Sequence, residues 1–313
     1  MSGLINSISF QENTVSWVQA EVDGIQSINV RRVVESPLPF VINFDNVQNG
    51  STAVKIGSHL RSLADSHEFD LSRVRFLLSA RFGFVKKVAV DDTINHELYG
   101  DLIRQDLHQT MASDPTDFYI YQPEYFRETD TLREILTVAI RRDLFRFFQR
   151  IGEEAGMVIE AVNLNCFSLD ELYRRFFPNL MGETVLMSFT ERGFEYVLSD
   201  ERNFVNTGFR PYSKTLQSLD QLDDKMIYSS FNALLDAIQQ PDNVDHPAYN
   251  ISQVFLFGGA FKSSWFDTLQ TRSPLPLRIL NPLEISDWQI NSEDPNFQSL
   301  GAYRFIEPLS NIF

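Results

Sequence analysis

The chain repeats one short polar phrase at two distant positions, and an apolar run lies on either side of each copy. The phrase reads Ser9-Phe10-Gln11-Glu12 within residues 5–17, and Ser188-Phe189-Thr190-Glu191 within residues 184–198. After each polar break, apolar residues alternate with polar ones, which is the pattern of a β-hairpin. Two such hairpins, about half a chain apart, predict a protein made of two halves built on one plan.

Further segments predict the elements around these hairpins. Residues 74–90 read as paired strands, and residues 254–260 as a buried strand that enters a Gly-Gly turn. Within residues 136–156 a buried strand precedes a helix at 143–155, whose apolar residues recur at spacings of three and four. The same spacing predicts a second helix at 225–239, which ends before Pro241.

The order of hairpin, hairpin, strand and Gly-Gly turn resembles that of the actin, sugar kinase and Hsp70 superfamily. Over nearly the whole chain, the segments at 74–90, 136–156, 257–285 and 299–305 are similar to those of the type IV pilus assembly protein PilM family. The resemblance implies an α/β protein with a two-domain actin/Hsp70/sugar-kinase-like fold, of the PilM and FtsA type. The implied boundaries are 1–168 for a first domain with a small inserted subdomain at about 85–121, 169–298 for a second domain, and 299–313 for a closing helix that returns to the first domain.

The second half of the chain is shorter than this resemblance would require. Relatives have a helical subdomain that closes over the ribose and base, between the second hairpin and the Gly-Gly strand. Residues 203–252 here leave room for a strand, one helix and loops. We therefore expect a reduced helical subdomain and a pocket that is open on one wall.

Both hairpins differ from the family at the positions that bind nucleotide. The family has an acidic residue that orders magnesium through water and, two positions later, a glycine that lets the backbone approach phosphate. Serines replace both acids, and larger residues replace both glycines. The resemblance gives six degenerate nucleotide-pocket positions, which are Ser9, Gln11, Ser188, Thr190, Gly258 and Gly259. We expect no bound cofactor and no ATP hydrolysis.

Composition excludes several other classes of function. A net charge of −15 disfavours binding to nucleic acid or anionic lipid. The single cysteine, Cys166, excludes an internal disulfide and is expected to be a buried apolar residue. The histidines lack metal-ligand spacing, and the sequence contains neither a phosphate loop nor a nucleophile elbow. We therefore predict no catalytic residue and no metal. Without a long apolar run or a basic leader, we expect a cytoplasmic protein that does not insert into the membrane.

The resemblance to PilM implies a scaffold of a type IV pilus or a related secretion platform. In that family the protein binds the N-terminal cytosolic tail of a single-span, PilN-like inner-membrane partner, and is peripheral to the inner membrane through that partner. The tail lies in a groove of the first domain, beside the inserted subdomain. An extended tail gains affinity from a sheet edge and from apolar pockets. The candidate groove residues are Phe82, Phe84, Phe118, Tyr119 and Tyr121, with the alternative that half or more belong to the core.

Two other functions stay open at this level. One is an ATP-binding, actin-like switch protein that retains ATP with magnesium, for which Gly258 and Gly259 argue. The other is a small-molecule kinase of the same superfamily, which would need a general base near the second hairpin. The sequence leaves homo-oligomerisation and the choice between pilus and type II secretion undecided.

Overall fold

A computed structural model describes residues 3–24, 26–91, 93–110, 114–122, 126–128, 132–201, 203–213, 219–239 and 249–313 of the chain. The strands of this part are β1 (Leu4–Phe10), β2 (Thr14–Val22), β3 (Ser27–Pro37), β4 (Val74–Leu78), β5 (Gly83–Asp91), β6 (Phe118–Tyr121), β7 (Phe126–Glu128), β8 (Leu132–Arg141), β9 (Ile159–Leu164), β10 (Glu183–Phe189), β11 (Gly193–Ser199), β12 (Phe204–Pro211), β13 (Ile251–Phe257), β14 (Leu277–Ile279) and β15 (Gln289–Ser292). Its α-helices are α1 (Phe44–Gln48), α2 (Gly50–His67), α3 (Tyr99–Thr110), α4 (Arg142–Ala155), α5 (Asn165–Phe176), α6 (Asp224–Gln239), α7 (Ser263–Arg272), α8 (Pro295–Ser299) and α9 (Ile306–Ser310). Within these ranges, no helix combines the length and the apolar character needed to cross a bilayer.

Two sheets follow the same plan, and each contains one of the repeated hairpins. The first sheet has the order β15-β3-β2-β1-β4-β9, and the second has the order β12-β11-β10-β13-β14. In each sheet the two strands of the hairpin and the strand that follows them along the chain pair in antiparallel fashion. On its other side, the first strand of the hairpin pairs with a parallel strand. The parallel neighbours need crossover helices, which are α2 and α6. The prediction of two halves on one plan is confirmed.

The helices form where the apolar spacing predicted them. The buried face of α4 includes Leu144, Phe147, Phe148 and Ile151, and the helix ends at Gly156 in the left-handed conformation with φ at 71°. In the second half, α6 buries an apolar face of the same spacing. It is the one α-helix between β12 and β13 among the described residues, in agreement with a reduced helical subdomain.

A third, smaller sheet is inserted between β4 and α4. Its order is β5-β8-β6, and β7 also pairs with β8. The helix α3 covers one face, where Val88, Ile103 and Leu107 are buried. The central strand β8 ends at Arg141, so the subdomain extends past the expected limit at residue 121. Antiparallel pairing of β5 with β8 closes this unit, and that pairing is not visible in a local sequence pattern.

The chain returns to the first sheet before the expected closing helix at 299–313. Strand β15 pairs in parallel with β3, where Ile290 lies opposite Ile28. The N–H of Val33 on β3 also donates to Asp294 Oδ2 at 2.9 Å, just before α8. The segment that completes the first sheet therefore begins at Gln289. Its strand is polar and has little apolar pattern of its own, and it forms by pairing with an existing edge of the first sheet.

Helices α5 and α9 fill the space between the two large sheets. Cys166 of α5 and Leu309 of α9 are buried in one core together with Leu186 and Phe255 of the second sheet. Burial raises the pKa of the Cys166 thiol, so this side chain stays protonated and packs as an apolar group. The two halves thus share a core, and the cleft between the hairpins lies at its edge.

Candidate functional site

The turns of the two repeated hairpins face each other across the cleft, and α9 brings a carboxylate between them. Ser9 Oγ and Gln11 Nε2 of the first hairpin each donate to Glu307 Oε2 at 2.8 Å. Ser188 Oγ of the second hairpin donates to Glu307 Oε1 at 2.6 Å. Because Glu307 is only 5% exposed, one buried carboxylate joins the two hairpins.

A second buried carboxylate belongs to Glu195, which lies on β11 opposite Ser188. Its Oε1 accepts from Ser79 Oγ at 2.6 Å, and its Oε2 accepts from Asn165 Nδ2 at 2.8 Å. Both donors come from the first half of the chain, at the ends of β4 and β9. Burial and the nearby charge of Glu307 raise the pKa of Glu195 to about 7. The cleft therefore already holds two buried acidic side chains, and the charge of Glu307 disfavours a further anion.

The tips of the hairpins are also connected to each other. Glu12 forms ion pairs with Arg81 at 2.6 Å and with Arg192 of the second hairpin at 2.7 Å. The amide of Asn13 donates to a carboxylate oxygen of Glu191 on the facing turn. These contacts bridge the mouth of the cleft, where an entering nucleotide would have to pass.

Local packing explains the glycines of the Gly-Gly turn without a bound nucleotide. Gly258 has φ at 114°, and a Cβ there would lie 2.6 Å from the carbonyl oxygen of Phe189. Only glycine fits this close approach to the second hairpin. A Cβ on Gly259 would lie 3.2 Å from Glu35 Oε1, and Glu35 itself accepts two hydrogen bonds from Arg304, at 2.8 and 3.0 Å. The position expected for adenosine is thus next to an internal ion pair.

The space left in the cleft is small. The cavity between the hairpins, the Gly-Gly turn and Glu307 has a volume of about 180 Å³. Pockets that hold drug-sized ligands measure roughly 300–1,000 Å³. Among the described residues, no group of three or more His, Cys, Asp or Glu side chains is placed to hold a metal ion. In this conformation the cavity is therefore below that size range, and Glu307 lies between the two hairpins.

The structure brings the six degenerate nucleotide-pocket positions to one cleft, whose cavity is lined by Gln11, Ser188, Thr190 and Gly259. Ser9, Gln11 and Ser188 meet at Glu307, and Gly258 lies against Ser188. Thr190 remains within its own hairpin, where its hydroxyl donates to the carbonyl of Gly193 at 2.9 Å. Gly259 adjoins this group through Glu35.

Sequence reasoning missed the residues that now occupy the cleft, which are Glu35, Glu195, Arg304 and Glu307. A signal existed for the last of these. Glu307 is the one acidic residue in the closing stretch from Phe305 to Phe313, which is otherwise rich in apolar residues. A charged residue inside such a stretch is either exposed or has a buried partner.

A second candidate site is an apolar groove between the first sheet and the inserted sheet, with a volume of about 680 Å³. We define this apolar groove by its lining residues, which are Leu78, Tyr119, Ile120, Tyr121, Leu136, Val138, Ile140, Phe145, Val162, Asn163, Leu164 and Phe167. Its walls include β6 and β9, which are both terminal strands of their sheets. A terminal strand can pair with a further extended segment.

The five aromatic residues predicted to line a groove occupy three different places. Tyr119 and Tyr121 lie in the apolar groove and are 40% and 67% exposed. Phe84 packs against the core of the inserted subdomain, on the other face of the small sheet. Phe82 contacts Phe148 at a ring distance of 5.8 Å, and Phe118 lies beside Arg141. Alternation along β6 separates Phe118 from Tyr119 and Tyr121, whereas Phe82 belongs to a 3-10 turn that precedes β5.

The apolar groove continues along β9 into a more polar section. This adjoining cavity has a volume of about 430 Å³ and shares Phe145 and Val162 with the groove. Glu153 and Glu160 lie in the polar section. Arg142 lies beside the groove, with its guanidinium 4.5 Å from the centre of the Tyr119 ring. The groove therefore has an apolar centre that adjoins a more polar section.

Three solved structures are similar to this protein over nearly its whole length. A PilM–PilN type IV pilus biogenesis complex superposes with a TM-score of 0.70 at 12% identity, over 98% of this chain and 97% of that chain. The cytoplasmic domain of EpsL, an inner membrane component of the type II secretion system of Vibrio cholerae, gives 0.51 at 14% identity over 99% and 97%. The ethanolamine utilization protein EutJ from Carboxydothermus hydrogenoformans gives 0.51 at 8% identity over 99% and 89%.

No protein-family model matches the sequence, and a search of curated proteins finds no significant match. The structural similarities, which extend over whole chains at low identity, establish the fold alone. The protein has the two-domain actin-like ATPase fold that the paired hairpins and the Gly-Gly turn predict.

Proposed function

We propose that this protein is a cytoplasmic scaffold of a type IV pilus or related secretion platform. In this proposal it binds the N-terminal cytosolic tail of a single-span, PilN-like membrane protein in the apolar groove. It is peripheral to the inner membrane through that partner and does not hydrolyse ATP. The observation that supports this most strongly is the pairing of an open apolar groove with a nucleotide cleft filled by the protein's own side chains.

The apolar groove suits an extended peptide of alternating character. Tyr119 and Tyr121 of β6 project into it, and the terminal strand β9 forms a neighbouring wall. Main-chain pairing with a strand edge gives affinity, and pockets for alternate side chains give specificity. Each apolar side chain of the tail that becomes fully buried contributes roughly 2 kcal/mol. Glu153 in the polar section suits a basic residue, which cytoplasmic flanks of single-span proteins usually have, whereas Glu160 is already paired with Arg73.

The cleft argues against the ATP-binding switch and the kinase as alternatives. Gly258 and Gly259 favoured the switch, but the contacts of Gly258 with the second hairpin explain that turn without a ligand. A kinase needs a general base within reach of substrate. Glu195 has a suitably raised pKa, but it is only 5% exposed, and both of its oxygens accept hydrogen bonds from Ser79 and Asn165.

The test measures the binding of labelled N-terminal tail peptides from candidate single-span partners to the full chain by fluorescence anisotropy. Tyr121→Ala should weaken binding at least about fivefold, since truncation of a central aromatic residue typically costs more than 1 kcal/mol. Tyr228→Ala, a half-buried tyrosine of α6 in the second half, is the matched control and should bind as the wild type does. Salt should reduce the affinity only modestly, because apolar contacts supply most of it.

Equal loss of binding in Tyr228→Ala and Tyr121→Ala would show that the assay reports stability and not the groove. Unchanged binding in Tyr121→Ala would place the partner surface elsewhere. Phe84→Glu cannot serve as a groove variant, because Phe84 packs in the core of the inserted subdomain.

A further inference from the structure

We propose that a second pocket, separate from the apolar groove, binds a short peptide segment in which an acidic side chain lies next to a large apolar one. This pocket lies where the hairpin tips, α1 and the first turn of α4 meet, and it has a volume of about 300 Å³. We call it the arginine pocket, after Arg81, Arg141 and Arg192. The proposal is independent of the proposed function, because the two sites have no lining residue in common.

The charge of the arginine pocket is opposite to that of the whole protein. Three guanidinium groups line it with only two carboxylates, Glu12 and Asp143, whereas the chain has a net charge of −15. Arg81 and Arg192 share the single carboxylate of Glu12. The site therefore has a surplus positive charge among surroundings that are mostly negative, and it can attract an anionic group locally.

Arg192 is accessible, Arg81 and Arg141 are partly buried, and all three hold several hydrogen-bond donors. The side chain of Arg192 is 56% exposed and contacts Glu12 through Nη1. A guanidinium has five N–H donors arranged to bind a carboxylate with two parallel hydrogen bonds. Arg141 is held by Asp143 at 3.2 Å, with its guanidinium 5.1 Å from the centre of the Phe44 ring. An incoming carboxylate would thus meet positioned donors.

The rest of the pocket surface is apolar. Phe44 is 61% exposed, which is unusual for so large an apolar side chain, and it belongs to α1, a helix with no buried residue. Ile42, Val47, Phe82 and Leu144 continue this surface. A simple inorganic anion would leave it uncovered. A carboxylate beside an aromatic or branched aliphatic side chain would fill both parts, and the volume admits one or two side chains but not a folded domain.

The experiment uses the full chain and a defined probe, the fluorophore-labelled and amidated pentapeptide Asp-Phe-Asp-Phe-Asp. We expect saturable binding below millimolar concentration, and at least about tenfold weaker binding by Arg192→Glu, because an attractive charge becomes repulsive. Phe44→Ala should weaken binding at least about threefold without affecting the fold, since this side chain is exposed. Arg278→Glu, an exposed arginine on β14, is the matched charge control and should bind within about twofold of the wild type.

Three results would overturn the proposal. Equal affinity for the peptide Asp-Ser-Asp-Ser-Asp would show attraction of charge without an apolar pocket. Displacement of the probe by inorganic phosphate at comparable concentrations would indicate a simple anion site. Unchanged binding in both Phe44→Ala and Arg192→Glu would place the probe elsewhere. Retained probe binding in Tyr121→Ala is expected, so failure of this site and failure of the apolar groove remain distinguishable.

Discussion

At the scale of single residues, the cleft is organised by Glu307 and Glu195. Glu307 accepts hydrogen bonds from both hairpins, and Glu195 accepts from Ser79 and Asn165 across the two halves. A buried carboxylate is stable only with such donors, because desolvation of an unpaired charge costs several kcal/mol. Each hydrogen-bond donor therefore offsets part of the desolvation free energy that burial of these carboxylates costs on folding.

The raised pKa of Glu195 predicts a specific dependence of stability on pH. Between its ordinary value of 4.5 and about 7, the folded state holds a proton that the unfolded state has released. The free energy of unfolding therefore falls as pH rises through this window, by at most about 3 kcal/mol. Glu195→Gln removes the contribution. The difference in urea-unfolding free energy, variant minus wild type, should increase between pH 4.5 and pH 7. If the unfolding free energies of the two proteins changed in parallel with pH, the raised pKa would not belong to Glu195.

At the scale of elements, the Gly-Gly turn and the second hairpin depend on one another. The N–H of Ala260 donates to the carbonyl of Phe189 at 3.1 Å, and Gly258 approaches the same backbone too closely for any side chain. The turn therefore fixes the position of the second hairpin relative to β13.

Gly258→Ala should destabilise the protein by about 3 kcal/mol or more, because it combines an unfavourable φ with a Cβ that overlaps the backbone of Phe189. Gly24→Ala is the matched control. Gly24 also has a positive φ, of 75°, but nothing lies within 4 Å of an added Cβ, so the cost should stay near 1–2 kcal/mol. Urea unfolding of both variants measures the difference. Similar losses would mean that backbone conformation alone matters at the Gly-Gly turn.

Elements defined by local patterns could be predicted, and elements defined by distant pairing could not. The predicted helix at 225–239 is observed as α6 (Asp224–Gln239), and both hairpins are present with their expected alternation. Strand β15 has the sequence Gln-Ile-Asn-Ser, which has no clear period, and it forms only because β3 offers an edge. Likewise, the substitutions at Ser9 and Ser188 were visible in the sequence, but their common partner Glu307 was not, because it lies 298 and 119 residues away along the chain.

At the scale of the whole molecule, the two halves are joined by contacts between the two hairpins and α9. The buried carboxylates, the connected hairpin tips and the small cavity each predict weak or absent binding of ATP. The whole protein should therefore hold its cleft closed without ATP.

Isothermal titration of the full chain with magnesium and ATP should show no saturable binding at micromolar concentration and no hydrolysis. The reason is electrostatic and steric, since phosphates would have to displace Glu307 from Ser9 and Ser188. A melting temperature that is unchanged by ATP provides an independent measurement. Micromolar affinity would show that the cleft opens at low cost and would favour the switch function instead.

The late pairing of β15 with β3 has a consequence for the synthesis of the protein. The first sheet receives its last strand, and α9 enters the shared core, only after the second half has been translated. Domains generally fold in order as they leave the ribosome, but here the first half is completed only by residues 289–313, which follow the second half. During that interval the edge strand β3 and the apolar surface that α9 will cover stay exposed, which are features that promote aggregation of a partly made chain.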